Sequence, residues 1–371
     1  MSSSDSNELL YQIALTLLPG IGDVNARKLV AYTGSPEAVF REKKASLLKI
    51  PGMGQITAEL IQSNRTVVDR AAREIEFISK YGIRTSFFTE KSYPERLKHC
   101  TDSPVLIYYL GNMEFNSPYV ISVVGTRRAS EYGKDICRKL IAGLKELGVL
   151  VISGLAYGID TCAHKSALDE GLKTVGVLAH GLDRIYPPLN FNLSQRMLEQ
   201  GGLVTEFMSE TNPDRENFPK RNRIIAGLAD ATIVIEAGAR GGALITADIA
   251  NSYNRDVFAV PGRLSDPMSE GCNHLIKTNR AALVQSAADI LYIMGWDKKA
   301  LKKEPVQRKL FVQLQPDEEA VVKLLEETGE CSMDKICFST GIQTSKVAAA
   351  LLNLEFEGIV KSLPGKIYRL S

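Results

Sequence analysis

The hydrophobic pattern changes character along the chain. Residues 1–80 place apolar side chains at helical spacing, interrupted by glycine-rich turns. After residue 118, continuous apolar runs rich in β-branched residues alternate with amphipathic stretches, which predicts buried strands separated by helices. The predicted strands are 119–125, 149–154, 174–179, 203–207, 231–237 and 256–260. This alternation indicates an α/β fold with a doubly wound parallel sheet.

Two related turns lie in the helical N-terminal part. Leu18-Pro-Gly-Ile-Gly22 and Ile50-Pro-Gly-Met-Gly54 each place Pro and Gly-x-Gly before a helix, where glycines turn the backbone and free N–H groups face outward. The repeat resembles a tandem helix-hairpin-helix module of the SAM-like kind. Such hairpins hold nucleic-acid backbone or simply cap helices and dock proteins. Few basic residues flank the turns, namely Arg27, Lys28 and Lys49, so both interpretations remain open.

The C-terminal part has a different pattern and charge. Residues 297–309 carry six basic against two acidic residues, which predicts a solvated linker. The order of helices and a final hairpin over 316–371 resembles a winged helix, but this segment carries six basic against nine acidic residues. A net acidic module is a poor reader of DNA grooves, so protein contact or scaffolding is favoured.

Five segments are therefore predicted. The central one is expected to be a Rossmann-like domain, flanked by an all-α module and a winged helix. The segments are 1–82 (helix-hairpin-helix), 83–118 (connecting segment joining the central domain), 119–295 (Rossmann-like domain), 296–315 (basic linker) and 316–371 (winged helix).

Composition narrows the class of protein. The 371 residues include 45 Lys and Arg against 43 Asp and Glu, with 44% hydrophobic residues, which is typical of a globular protein with two or three domains. No apolar run reaches the roughly 18–20 residues that span a bilayer, and the start lacks the features of a signal peptide. We therefore expect a cytoplasmic protein. Its six cysteines show no zinc-like spacing, so no metal site is predicted.

The candidate ligand-binding residues lie in loops directly after the predicted strands. Doubly wound sheets bind ligands at the carboxyl ends of their strands. One loop continues from Gly125 through Thr126, Arg127 and Arg128, but it matches neither the dinucleotide fingerprint nor the phosphate-binding P-loop. The others are a second glycine turn over 153–160, a basic helix start over 218–223 and a glycine loop over 236–247 that contains Arg240. Arginines and helix N-termini at these positions indicate phosphate binding. His164, within an amphipathic stretch, is expected to be a packed histidine.

Taken together, the sequence motifs of this chain resemble those of the DNA-processing protein A family (DprA, also called Smf). The matching motifs cover about residues 90–286 and are YPERL with SPVLIYYLG, VVGTRRAS, VISGLAYGID with AHKSAL, GLDRIYPPLN, FPKRNRIIAGL, ALITADIA with VFAVPG, and GCNHLIKTNRAALV. The resemblance implies a homodimer that binds and protects single-stranded DNA and helps load the RecA recombinase during natural transformation. It implies no cofactor and no catalytic turnover.

The resemblance also implies a set of DNA-binding residues. By position in this chain they are Gly125, Arg127, Ser153, Gly154, Lys220, Arg221, Asn222, Arg223, Gly242 and Thr246. Two loops depart from the family pattern. Pro188 lies where relatives often carry a basic residue, and Arg240-Gly-Gly-Ala-Leu244 replaces an Arg-Ser-Gly-Ser-Leu loop. One cation and two hydroxyl donors are therefore missing, so the pocket is expected to depend more on Lys220, Arg221 and backbone N–H groups.

Two other functions remain as alternatives. A related Rossmann-like enzyme that cleaves nucleoside monophosphates would need a Thr-x-x-Glu arrangement after the glycine loop, whereas the nearest carboxylate here is Asp248. A winged-helix regulator would bind duplex DNA tightly, which the acidic charge of 316–371 disfavours.

Overall fold

The structure is a computed structural model that describes residues 3–63, 66–296 and 314–370. An all-α module comes first. Its helices are α1 (Ser3–Thr16), α2 (Asp23–Thr33), α3 (Pro36–Arg41), α4 (Lys44–Leu47), α5 (Gln55–Ser63) and α6 (Thr66–Tyr81). The two glycine turns directly precede α2 and α5, which confirms the predicted tandem hairpins.

The central domain is a large mixed sheet covered by helices. Its strands are β1 (Arg84–Phe87), β2 (Leu106–Gly111), β3 (Val120–Val124), β4 (Leu150–Ser153), β5 (Thr174–Val177), β6 (Gly201–Thr205), β7 (Ala231–Val234), β8 (Asp256–Ala259) and β9 (Ala282–Leu283). Its helices are α7 (Glu95–Lys98), α8 (Glu131–Gly143), α9 (Ile159–Asp169), α10 (Phe191–Gln200), α11 (Asn217–Leu228), α12 (Gly242–Ser252), α13 (Glu270–Lys277) and α14 (Ala287–Ile293).

The strand order of this sheet is β1-β2-β6-β5-β4-β3-β7-β8-β9. Strands β3 to β9 pair in parallel, and every residue of β3, β4, β5 and β7 is buried. Continuous apolar runs form such strands because helices cover both faces of the sheet. The predicted doubly wound α/β fold is therefore confirmed.

The sheet extends further at both edges than the hydrophobic runs indicate. The segment 83–118, predicted as a connection, supplies β1 and β2. These strands pair antiparallel with each other, and β2 also pairs antiparallel with β6. At the other edge, β9 adds a short parallel strand beside β8. Both additions are short or interrupted by prolines in sequence, so their pairing depends on a neighbouring strand rather than on local pattern.

The helical module shares a hydrophobic core with the outer strands. Leu29 of α2 belongs to the same buried cluster as Val105, Leu106 and Tyr108 of the sheet edge. Arg27 donates a hydrogen bond to the Ser103 carbonyl oxygen over 3.2 Å and lies over the Phe88 ring. Of the three basic residues near the hairpin turns, Arg27 is therefore used within the protein, while Lys28 and Lys49 are exposed.

An ion-pair network crosses the same interface. Arg223 of α11 pairs with Glu206, which follows β6, and with Asp23 at the start of α2 over 3.1 Å. It also donates to the Asp102 carbonyl oxygen. The side chains of Arg223 and Glu206 are only 12% and 13% exposed, and burial raises the pKa of Glu206 to about 7. The network fixes the helical module against α11.

The C-terminal winged helix has its own core. It comprises α15 (Pro316–Thr328), β10 (Glu330–Ser332), α16 (Met333–Thr340), α17 (Thr344–Phe356), β11 (Val360–Leu363) and β12 (Ile367–Leu370). Arg255 of the central domain donates to the Pro364 carbonyl oxygen in the wing over 3.1 Å. The predicted basic linker lies largely outside the described residues. No helix in the described part of the chain is long and apolar enough to cross a bilayer.

We predict that Arg223→Ala destabilises the fold. The substitution leaves the partly buried carboxylates of Glu206 and Asp23 without their cation. Removing one partner of a fully buried pair costs about 3–5 kcal/mol, so we expect a loss towards the lower end of that range. Urea denaturation should show this loss of unfolding free energy, whereas Arg128→Ala, at an exposed position after β3, should change it little. Equal stability of the two variants would contradict the network's structural role.

We also predict acid sensitivity from His164. The ring is fully buried and its Nδ1 lies 2.7 Å from Thr174 Oγ1; burial, and secondarily the charge of Arg221, lowers its pKa to about 3. The unfolded chain takes up a proton near pH 6.5 that the folded chain does not bind, so stability falls as the pH drops from about 6.5 towards 3, by up to about 1.4 kcal/mol per pH unit.

His164→Gln should make this pH dependence shallower. Unfolding by urea at several pH values measures the slope for both proteins. His180, whose pKa burial also lowers, remains in both and contributes equally. An unchanged slope in the variant would mean that His164 titrates normally in the folded protein.

Candidate functional site

A cleft of about 290 Å³ opens at the carboxyl ends of β3 and β7. These two strands are neighbours, but the chain proceeds from β3 to β4, β5 and β6 on one side and from β7 to β8 and β9 on the other. The loops after β3 and β7 therefore diverge to opposite faces of the sheet and leave a crevice between them. Open α/β sheets bind ligands at such a topological switch point.

Six of the predicted site residues line this cleft. The loop after β3, the first turns of α11 and the start of α12 converge there. These residues are Gly125, Arg127, Arg221, Asn222, Gly242 and Thr246. Motifs far apart in sequence thus meet at one place, as the carboxyl-edge argument predicts.

Arg221 forms the floor of the cleft and is 4% exposed. Its guanidinium donates to the carbonyl oxygen of Gly154 over 2.6 Å and to that of Val177. A Cβ at position 154 would lie 2.5 Å from the Arg221 Nη2 atom, so this approach requires glycine. Burial lowers the pKa of Arg221 to about 10, which still leaves it a cation at neutral pH.

A buried carboxylate, Asp160 of α9, accompanies this cation. It accepts hydrogen bonds from the backbone N–H groups of Gly154 over 3.2 Å and Ala156 over 3.3 Å. Burial raises the pKa of Asp160, and the Arg221 charge acts in the opposite direction. Asp160 therefore stabilises the loop after β4 and balances part of the Arg221 charge.

Two exposed arginines stand at the mouth of the cleft. Arg127 lies with its guanidinium carbon 5.1 Å from the centre of the Phe218 ring, and Arg240 extends from the glycine loop before α12. Within the described residues, neither side chain forms an ion pair with a carboxylate. Both can therefore meet an anionic ligand. The predicted set of DNA-binding residues omits Arg240 and Phe218, although other members of that set come from the same two motifs, the glycine loop over 236–247 and the basic helix start over 218–223.

The N-terminus of α12 contributes backbone donors. Gly241 and Gly242 are exposed, and no side chain caps the helix. The Gly242 carbonyl oxygen accepts from Thr246 Oγ1 over 2.9 Å and from Asn222 Nδ2 over 3.3 Å, so Thr246 and Asn222 hold the turn in place. Uncapped N–H groups and the positive end of the helix dipole favour an anion.

Four predicted residues do not line the cleft. Ser153 is fully buried and donates to the Val123 carbonyl oxygen over 2.6 Å, and Gly154 lies beneath the cleft against Arg221. Lys220 is exposed elsewhere on α11. Arg223 is also absent from the cleft lining, because its guanidinium faces Glu206 and Asp23, and its predicted contact with DNA stays a prediction. Successive residues of a helix point in different directions, so neighbouring cations need not share a site.

Two carboxylates bear on the enzyme alternative, and of these only Asp160 is among the described residues that line the cleft. Asp248, the residue weighed for the enzyme alternative, pairs with Arg280 and does not line the cleft. The described residues contain no group of three or more His, Cys, Asp or Glu side chains placed to hold a metal ion. The arrangement present at the cleft is that of an anion-binding site.

Comparisons with known proteins match all three parts of the chain. The family profile of DNA recombination-mediator protein A matches residues 84–295, that of the DprA winged helix domain matches 311–366, and that of a SAM-like helix-hairpin-helix tandem matches 13–63.

Relatives at the sequence level extend over most of the chain. The putative DNA processing protein DprA of Mycobacterium tuberculosis is 34% identical over 353 residues, covering 91% of this chain and 88% of the relative. Protein Smf of Escherichia coli is 36% identical over 285 residues, covering 75% of each chain.

Two solved structures are similar in fold. DNA processing protein A of Streptococcus pneumoniae gives a TM-score of 0.67 at 33% identity, covering 76% of this chain and 97% of the other. The Helicobacter pylori protein, described for its single-stranded DNA binding mode, gives 0.53 at 26% identity, covering 58% of this chain and 96% of the other. The profile match over more than half the chain and the relatives over most of its length lead to one conclusion: this chain belongs to the DNA recombination-mediator protein A (DprA/Smf) family.

Proposed function

We propose that this protein binds single-stranded DNA in the cleft at the switch point and delivers it to the RecA recombinase in natural transformation. The DNA-binding part of the proposal rests on one observation. Arg127, Arg221 and Arg240 line the same cleft as the uncapped N-terminus of α12. These groups together suit phosphate. The single-stranded DNA binding described for the Helicobacter pylori relative supports the same ligand.

The buried arginine and the two exposed arginines have different roles in this proposal. Arg221 is held by two carbonyl oxygens, so it supplies fixed positive charge beneath the ligand. Arg127 and Arg240 are exposed and can form bidentate hydrogen bonds to phosphate oxygens. A cleft of about 290 Å³ has room for the phosphates of one strand rather than for a paired duplex.

We infer that the protein acts by binding rather than by turnover. Asp160, the carboxylate that lines the cleft, is buried and engaged with the backbone N–H groups of Gly154 and Ala156. General acid–base chemistry at a nucleotide would require a group within reach of the reacting proton. The proposal accordingly includes no cofactor, and it places the protein in the cytoplasm, where DNA and RecA are found.

The proposal also includes a homodimer. β9 is the edge strand of the sheet, and Leu283 on it is 44% exposed. An unpaired strand edge with an exposed apolar residue suits pairing with a second copy across a twofold axis.

The first test replaces one cleft arginine. Arg127→Ala should weaken binding of a fluorescently labelled oligothymidylate by about 1–3 kcal/mol, because a charge-assisted hydrogen bond is lost. The salt dependence should also become shallower by about 0.7 in logarithmic slope, since one phosphate contact releases fewer counterions. Fluorescence anisotropy over a series of salt concentrations measures both quantities.

The matched control for this test is Arg128→Ala. Arg128 is equally charged, exposed and adjacent in sequence, but it does not line the cleft. It should leave the affinity and the salt slope close to those of the unmodified protein. Equal losses in the two variants would show that DNA binds to a diffuse basic surface rather than in the cleft.

A second test concerns assembly. Light scattering at micromolar concentration should report a dimer for the unmodified protein and a monomer for Leu283→Glu, because a carboxylate at the strand edge disfavours pairing. Circular dichroism should confirm that the variant keeps its secondary structure. A monomeric unmodified protein would refute the proposed dimer.

A further inference from the structure

An exposed and uncharged segment borders the cleft. Residues 186–192 read Tyr-Pro-Pro-Leu-Asn-Phe-Asn and contain no Lys, Arg, Asp or Glu. Tyr186 is 41% exposed, Leu189 82% and Phe191 55%. Several large apolar side chains facing solvent together indicate a binding surface rather than a solvated loop.

The segment is held firmly in place. Asn190 is buried, and its side-chain amide donates to the Leu155 carbonyl oxygen over 2.8 Å and to Thr161 Oγ1 over 2.9 Å. Ser194 Oγ donates to the Phe191 carbonyl oxygen over 2.6 Å. These bonds tie the segment to the loop after β4 and to α9 and α10. The backbone that carries the exposed side chains is therefore fixed, which lowers the entropic cost of using them for binding.

Ring contacts connect the segment to the cleft. The ring centroid of Tyr186 lies 6.1 Å from that of Phe218, and the Phe218 ring in turn lies under the Arg127 guanidinium. A third ring, that of Tyr157, is 42% exposed on the loop after β4. Gly158 beside it packs so closely on Arg127 that a Cβ there would lie 2.7 Å from the Arg127 carbonyl carbon. Its φ of +77° also favours glycine.

We propose that Tyr157, Tyr186, Leu189 and Phe191 form a ledge that binds the unpaired bases of the DNA strand whose phosphates occupy the cleft. This inference rests on the proposed function and extends it to the bases. The charges and the rings are divided between the two neighbouring surfaces: guanidinium groups meet phosphates, and an uncharged surface meets the faces of bases. Every base has a π face, so such a ledge would bind without regard to sequence.

The test compares normal oligothymidylate with an abasic oligonucleotide of the same length, which keeps the phosphates but lacks the bases. The unmodified protein should bind the normal strand on the order of 10-fold more tightly. Tyr186→Ala should lose several-fold affinity for the normal strand and none for the abasic strand. Its salt slope should stay unchanged, because no phosphate contact is removed.

Three further variants make the result specific. Tyr186→Phe keeps the ring and should bind like the unmodified protein. Tyr292→Ala removes a tyrosine that is 85% exposed on α14, away from the cleft lining, and should also have no effect. Phe191→Ala provides an independent removal of an apolar side chain and should behave like Tyr186→Ala.

The possible outcomes separate the ledge from the cleft. If Arg127→Ala weakens binding but Tyr186→Ala and Phe191→Ala bind normally, the proposed ledge is refuted and the DNA-binding cleft is supported. If the ring variants lose affinity equally for normal and abasic strands, they act through the fold, and the ledge is again overturned. A change in self-association or in RecA binding with unchanged DNA affinity would assign the surface to a protein partner instead. Absence of single-strand binding by the unmodified protein would refute the proposed function itself.

Discussion

A buried guanidinium at the carboxyl edge of the sheet is the constraint on which the rest of the site depends. Removing a charge from water is costly, and Arg221 is held there by the carbonyl oxygens of Gly154 and Val177, with Asp160 nearby. These contacts join the ends of β4 and β5 to α11. The cleft therefore has a cation that cannot swing away, and its loops have little freedom around it. Ligand binding then needs little reorganisation of the protein.

Much of the architecture follows from local pattern. Short, largely apolar runs rich in β-branched residues, such as 120–124 and 231–234, alternate with helical stretches and so favour strands covered on both faces, and parallel strands bring their carboxyl ends to one edge. For that reason the glycine loops around Gly125 and Gly242 could be placed together from sequence alone, together with Arg127. The Pro-Gly turns before α2 and α5 were predictable because their backbone requirements are local.

The direction of individual side chains was not predictable in this way. Arg221 and Arg223 are two residues apart, which turns them about 200° from each other around α11. One becomes the floor of the cleft and the other binds Asp23 and Glu206. Only the positions of those distant carboxylates decide between the two roles. Likewise, β2 within 83–118 pairs with β6, and β1 pairs with β2; no local pattern reveals the pairing with the distant β6.

Helix α11 forms polar contacts with its surroundings on two faces. On one side Asp23 of the hairpin module holds Arg223, and on the other the ends of β4 and β5 hold Arg221. The hairpin module and the ends of β4 and β5 are thus both joined to the helix that carries the cation beneath the cleft. Substitution of Asp23 would therefore affect the cleft through Arg223 and α11, although Asp23 does not line the cleft. The hairpin module is thus part of the mechanical support of the site, whatever else it binds.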